Sequence, residues 1–214
     1  MLWLHPGIRI GAIPLIRLRS LENNKLTIYE NSKEEYTAFI TPECKKAIDF
    51  YLDFRQRYGE KITDNSFLIR EQFNIRDEFA IRNPRQVQHK TIQWNLRVLA
   101  IKCGIRKNAH KHARQKVMMS HGFRKFFTNQ MVNSNVKSEI RDMMLGHKIG
   151  LVSAYYRPTV QEMYDEYDKS IDNLTIDEEN RLRKKVETLK IEKSRIDMLE
   201  AKIQKLEKKH GKII

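Results

Sequence analysis

The 214-residue sequence holds only two cysteines, Cys44 and Cys103, too few for a disulfide framework or a four-thiolate zinc centre. It has no apolar run approaching the ~18 residues that a membrane-crossing helix needs. The stretch from Met1 to Leu18 is interrupted by Pro6, Arg9, Pro14 and Arg17, which is not the pattern of a signal peptide. No glycine-rich phosphate loop and no cluster of acidic metal ligands occurs, and Cys103, His110 and His112 match no usual ligand spacing. These absences exclude a disulfide-rich secreted scaffold and a helical membrane protein. The resulting expectation is a soluble chain in a reducing, cytoplasmic setting with no membrane partner.

What is present in excess is positive charge. Lys and Arg number 41 against 27 Asp and Glu, for a net charge of +14, while 40% hydrophobic residues suffice for a buried core. From Lys102 to Lys125 there are eight Lys and Arg and no acidic residue, with His110, His112 and His121 in the same stretch. A run of this kind repels itself unless an anion lies nearby, so it reads as a phosphate-facing surface and points to nucleic acid. The last forty residues differ, with 12 basic and 8 acidic side chains thoroughly mixed.

Residues 8 to 18 read as a helix that includes Pro14, with Ile8, Ala12, Leu15 and Ile16 on one face. Lys25–Glu30 and Tyr36–Ile40 are β-type runs joined by the polar loop Asn31 to Glu35. Thr41-Pro42-Glu43 is a helix start with its cap, proline and acid in order, and that helix runs to near Gly59. Residues 60–90 read as irregular with short helical pieces. A helix from Thr91 to Cys103 stops at Gly104, and Ser120 caps another whose core face is Phe123, Phe126, Phe127, Met131 and Val132. Lys137–Leu145 is a short helix ended by Gly146, and a further one lies around Met163, Tyr164, Tyr167 and Ile171. The expected fold is therefore mainly α with a small antiparallel hairpin or sheet, over residues 1–174. A charged helical tail occupies 175–214, where Leu182, Leu189, Ile196 and Ile203 recur every seven residues. Leu199 and Leu206 join them, but Lys185 and Glu192 occupy the matching positions of the first half, so a short coiled coil competes with a helix folded on the body.

Chemistry-bearing residues recur in a suggestive order. His121 and Arg124 share a helix face at i, i+3, a weak signal alone and a stronger one between a basic run and a core face. His147 follows a glycine-capped helix end, where it also reads as a favourable dipole cap, and Tyr156 comes nine residues later beside Tyr155. Gly7-Ile8-Arg9 places an arginine in apolar surroundings, where it needs a pair or an anion. Lys33 sits in the hairpin loop, as an ordinary loop lysine also would. Together these types suit attack of a phenol on a phosphodiester held by cations.

The set GIR, K, HGFR, LGH and YYRP resembles the tyrosine recombinase (phage-type integrase) family, in particular its archaeal integrase branch, over roughly residues 5 to 172. The resemblance implies the DNA breaking-rejoining catalytic fold and a site-specific recombinase or integrase that acts on double-stranded DNA as a multimer, nucleoid-associated and without metal or nucleotide cofactor. It implies that Arg9 and Arg124 clamp the scissile phosphate, that His121 accepts the nucleophile's proton and that His147 donates to a phosphate oxygen. It implies further that Lys33 protonates the leaving 5′-oxygen and that Tyr156 attacks; spacing from His147 favours Tyr156 over Tyr155. Ala12 stands where the family has an acidic residue three positions past the arginine, which leaves open what orients Arg9. The chain begins eight residues before Arg9, so a shortened front end lacking the N-terminal DNA clamp is expected. Type IB topoisomerase-like relaxation and a non-cleaving DNA-binding or regulatory protein are the competing functions.

Overall fold

The computed structural model describes residues 5–106, 118–148, 150 and 155–210, and the chain divides into two units, Met1–Leu174 and Thr175–Ile214. Much of the basic stretch, with His110 and His112, lies outside the described residues. In the first unit a three-stranded antiparallel sheet of order β1-β2-β3 is formed by Leu21–Glu22, Lys25–Ile28 and Tyr36–Phe39. The second and third strands pair Leu26 with Ala38 and Ile28 with Tyr36, which sets the tip of their hairpin at Tyr29 to Glu35. Alternation along β2 buries Leu26 and Ile28 and leaves Lys25 and Thr27 half-buried. Along β3, Ala38 and Phe39 are both buried but belong to different cores, because successive side chains leave opposite faces of a strand.

Those two cores organise the unit. One gathers Ile8, Ile13, Ile16, Leu26, Ile28 and Leu68 beneath helix α1 (Pro42–Arg57), which contributes Cys44 and Ile48. Thr41 caps α1 by accepting from the Cys44 N–H, with Pro42 in the first turn, as its sequence signature predicts. Helices α2 (Glu78–Arg82) and α3 (His89–Lys102) follow, α3 packing Ile92 into this core. The second core joins Phe39 to α4 (Ser120–Asn133), α5 (Ser138–Met144), α6 (Val160–Asp168) and α7 (Ile171–Leu174) through Phe127, Met131, Ile140, Met144 and Tyr167. The described residues of the second unit form the helix α8 (Glu178–His210).

Mainly helical architecture with a small antiparallel sheet is thus what the chain adopts, with local differences. The expected helix over residues 8–18 is instead a 3-10 helix, Ile10–Leu15, followed by a second, Leu18–Ser20. Pro14 lies inside the first, where it removes a backbone donor, and Leu15 is exposed, not in the core. Ser120 is the first helical residue of α4 and Met119 its N-cap, without a side-chain cap. Val132 is exposed, whereas Phe127 and Met131 are buried. The strand Leu21–Glu22 is too short to register in a sequence pattern. Among the described residues, no helix is long and apolar enough to cross a membrane.

Candidate active site

The turn after α5 is the centre of the arrangement. Gly146 adopts a left-handed φ of 64°, its N–H bonds to the Met143 carbonyl at 2.9 Å, and the His147 N–H bonds to the Asp142 carbonyl at 2.9 Å. This is a Schellman closure, and it leaves the carbonyls of Leu145 and Gly146 free to accept from elsewhere. Two arginines take them. Arg124, in α4, donates through Nη2 to the Leu145 carbonyl and through Nη1 to the Gly7 carbonyl at 2.8 Å. Arg9, N-cap of the first 3-10 helix, donates through Nη2 to the Gly146 carbonyl at 3.2 Å. Arg9 is exposed, so the expectation of a desolvated arginine needing a countercharge is corrected: a backbone carbonyl orients it.

His147 completes the group. Its Nε2 lies 2.9 Å from Arg124 Nη2 and its Nδ1 lies 3.7 Å from Asp142 Oδ1. An arginine only donates, so Nε2 is the acceptor and the ring proton sits on Nδ1, towards the carboxylate. Arg124 is half-buried, and burial lowers its pKa; Arg9 acts in the same direction, while Tyr36 opposes them. The guanidinium remains cationic across the physiological range.

Close approach is built into the scaffold by two glycines. A Cβ at Gly7, whose φ is 60°, would collide with the Phe127 ring. A Cβ at Gly146 would come within 2.6 Å of Tyr36 Cδ1. Tyr36, at the start of β3, thereby underlies the turn that carries His147. Burial pushes its hydroxyl pKa up, and the Arg124 and Arg9 charges pull against that. A cleft of about 790 Å³ opens over this group, lined by Arg9, Lys33, Glu34, Tyr36, Met143, His147 and Lys148 among others.

The structure therefore brings Arg9, Arg124 and His147 into direct or carbonyl-bridged contact, and sets Lys33 on an exposed hairpin tip in the same cleft. His121 is exposed on the first turn of α4, one turn before Arg124. Tyr156 is half-buried against the second core and does not line the cleft, while Tyr155 is 90% exposed. Sequence reasoning missed Tyr36, Asp142 and Lys148. Asp142 was discernible as the acid one helical turn and a cap before His147; Tyr36 carries no signal of its own, since a tyrosine opening a strand is ordinary. Among the described residues, no three His, Cys, Asp or Glu side chains gather to hold a metal ion.

The fold is similar to that in the crystal structure of XerA recombinase, with a TM-score of 0.50 and 21% sequence identity, covering 78% of this chain and 53% of that one. The chain thus spans about half the length of the recombinase it matches. At that identity the likeness is one of fold. No protein-family model matches the chain, and no curated protein matches it.

Proposed function

We propose that the chain is the catalytic part of a site-specific DNA recombinase of the tyrosine recombinase family, cutting and rejoining double-stranded DNA through a 3′-phosphotyrosyl link. The observation that carries this reading is the convergence of Arg9, Arg124 and His147 on the turn after α5, beside the Lys33 hairpin. Two arginines held by backbone carbonyls and a histidine set between Arg124 and Asp142 make a preorganised receptor for one phosphate, and preorganisation is what electrostatic stabilisation of a transition state requires. A net charge of +14 and a fold like that of XerA recombinase support the same reading.

In this mechanism Tyr156, whose ring must leave its seat against the second core to reach the cleft, attacks phosphorus through its oxygen as the bond to the 5′-oxygen breaks. His121 takes the phenolic proton, and Lys33 gives a proton to the leaving oxygen. Arg9 and Arg124 neutralise the non-bridging oxygens, a task for which planar guanidinium groups are suited. Phosphate binding takes over the N–H that Arg124 now gives His147. On taking up a proton from solvent, His147 donates through Nε2 to a phosphate oxygen, with Asp142 behind Nδ1. A free phenol near pH 7 is ionised only to ~0.1%, a penalty of about 4 kcal/mol, so the attack needs a group that takes the proton as the bond forms. The reverse attack by a 5′-hydroxyl rejoins the strand without an external energy source.

The half-buried seat of Tyr156 against the second core favours one other reading, a DNA-binding protein that does not cleave. A nicked suicide substrate separates the two. Recombinase chemistry yields a covalent protein–DNA adduct that Tyr156→Phe removes. An adduct on Tyr155, or one that survives Tyr156→Phe, overturns the assignment of the nucleophile. DNA binding with no adduct supports the non-cleaving protein.

A further inference from the structure

Helix α8 is 33 residues long, about 50 Å at 1.5 Å per residue, and its apolar side chains are exposed. Leu182, Val186, Leu189, Ile196, Leu199, Ile203 and Leu206 are each between 50% and 63% exposed. Heptad counting from Leu182 alone leaves Lys185 and Glu192 as defects. Passing the seam through Val186 removes both, and the stripe then steps 182, 186, 189, 193, 196, 199, 203, 206 along one face. Its single polar member is Lys193.

This stripe is symmetric about Ile196. Val186 and Leu206 lie ten residues on either side of it, Leu189 and Ile203 seven, and Lys193 and Leu199 three. The two consecutive three-residue steps at Ile196 would break a continuous heptad, and they are what creates the mirror symmetry. A helix with that symmetry fits a reversed copy of itself, with each apolar layer matched to one at equal height.

We propose that α8 pairs antiparallel with the α8 of a second copy of this chain, about a two-fold axis at Ile196. Charge selects this orientation. In the antiparallel register Val186 faces Leu206 of the second copy, Leu189 faces Ile203, and Lys193 faces Leu199. The flanking positions then set Lys190 against Glu200 and Glu192 against Lys202, each pair occurring twice by symmetry and each attractive. In the parallel register Lys193 is opposed in the seam by its own copy, and Lys185 meets Lys190. An antiparallel pair places the two points at which the chains enter their helices about 50 Å apart, at opposite ends of the pair. The inference does not rest on the catalytic reading.

Cysteine cross-linking in the full chain tests it, on a Cys103→Ser background because Cys103 is exposed while Cys44 is buried. Ile196→Cys is expected to form a disulfide dimer under mild oxidation. Val186→Cys is expected not to, except when mixed with Leu206→Cys. A Val186→Cys dimer as abundant as that of Ile196→Cys means a parallel pair and overturns the proposal. Absence of an Ile196→Cys dimer does the same, and leaves α8 to pack on its own body or on another protein. Independently, Ile196→Asp should raise the dimer dissociation constant in sedimentation equilibrium about tenfold or more, with helix content by circular dichroism unchanged. An unaltered constant also overturns it.

Discussion

Gly146 lies against the ring of Tyr36 so closely that a Cβ there would come within 2.6 Å of two ring carbons. The same glycine has a φ of 64° and offers its carbonyl to Arg9. Gly146→Ala should therefore destabilise the protein by about 1–3 kcal/mol through backbone strain and overpacking together. It should also lower DNA cleavage beyond what the stability loss explains, because the turn orients Arg9, Arg124 and His147. Thermal melts with single-turnover cleavage well below the melting temperature check this. A melting temperature equal to the parent's means that the close approach is relieved without cost.

Arg9→Ala and Arg124→Ala should each slow cleavage by ~10²-fold or more and weaken DNA binding far less. In the proposed function both act on one phosphate in the transition state, whereas affinity is shared among many basic side chains. Arg124 carries a further load, since its loss leaves the Gly7 and Leu145 carbonyls without these donors. Arg124→Ala should thus melt lower than Arg9→Ala, whose side chain is exposed and spans a single 3.2 Å bond. Equal losses in binding and cleavage would make both residues ordinary phosphate anchors.

Much of this fold was legible because its signals are local. The Thr41-Pro42-Glu43 start, the Gly104 and Gly146 stops and the β-type runs around the 31–35 loop all appear as elements within a residue or two of the expected place. Pro14 was harder. Apolar spacing over residues 8–18 is compatible with either helix type, and the chain takes the tighter 3-10 form, with Ile13 in the core that also holds Leu26 and Ile28. For the candidate site, residue types and spacing nominate Arg9, Arg124, His147 and Lys33. Nothing in the sequence reveals that carbonyls of the α5 turn bind the two arginines together, since main-chain acceptors leave no trace in side-chain identity. The pairing of Tyr36 with Gly146 is likewise a contact across 110 residues that a single sequence does not encode visibly.

Away from the site, Glu60 is buried between Arg55 and Arg70. Arg55 donates to both carboxylate oxygens, and Arg70 Nη1 lies 2.7 Å from Oε2. Their side chains are 0–2% exposed. The arginines also donate to the carbonyls of Phe67, Leu68 and Ala80, tying the irregular 60–90 segment to α1. Glu60→Gln leaves two guanidinium groups buried without a countercharge and should cost about 3–5 kcal/mol in urea unfolding. Lys45→Ala, which breaks only an exposed i, i+4 pair with Asp49, should change stability by less than about 0.5 kcal/mol. A Glu60→Gln loss as small as the Lys45→Ala one would mean that water reaches the triad.

His5 gives the fold a pH dependence of its own. Its side chain is fully buried, Nδ1 bonds with the Thr41 hydroxyl, and Nε2 lies 3.7 Å from Glu43 Oε2. Nε2 faces the Glu43 carboxylate, which favours the imidazole proton there and leaves Nδ1 to accept from the Thr41 hydroxyl. Burial lowers the pKa of His5 from 6.5 to about 4, although Glu43 pulls the other way. The sign follows directly. Between pH 6.5 and about 4 the unfolded chain binds a proton at His5 that the folded chain refuses, so stability falls as pH drops through that window. At the low end the loss amounts to about 3 kcal/mol, since each unit of pKa difference corresponds to about 1.4 kcal/mol. His5→Asn removes the titration and should flatten the unfolding free energy between pH 6.5 and pH 4 relative to the parent, even if its stability at pH 7 is lower. Urea titrations at several pH values measure both curves. Parallel curves for the two proteins would show that another group carries the dependence and that His5 is protonated in place, with Glu43 as its counterion.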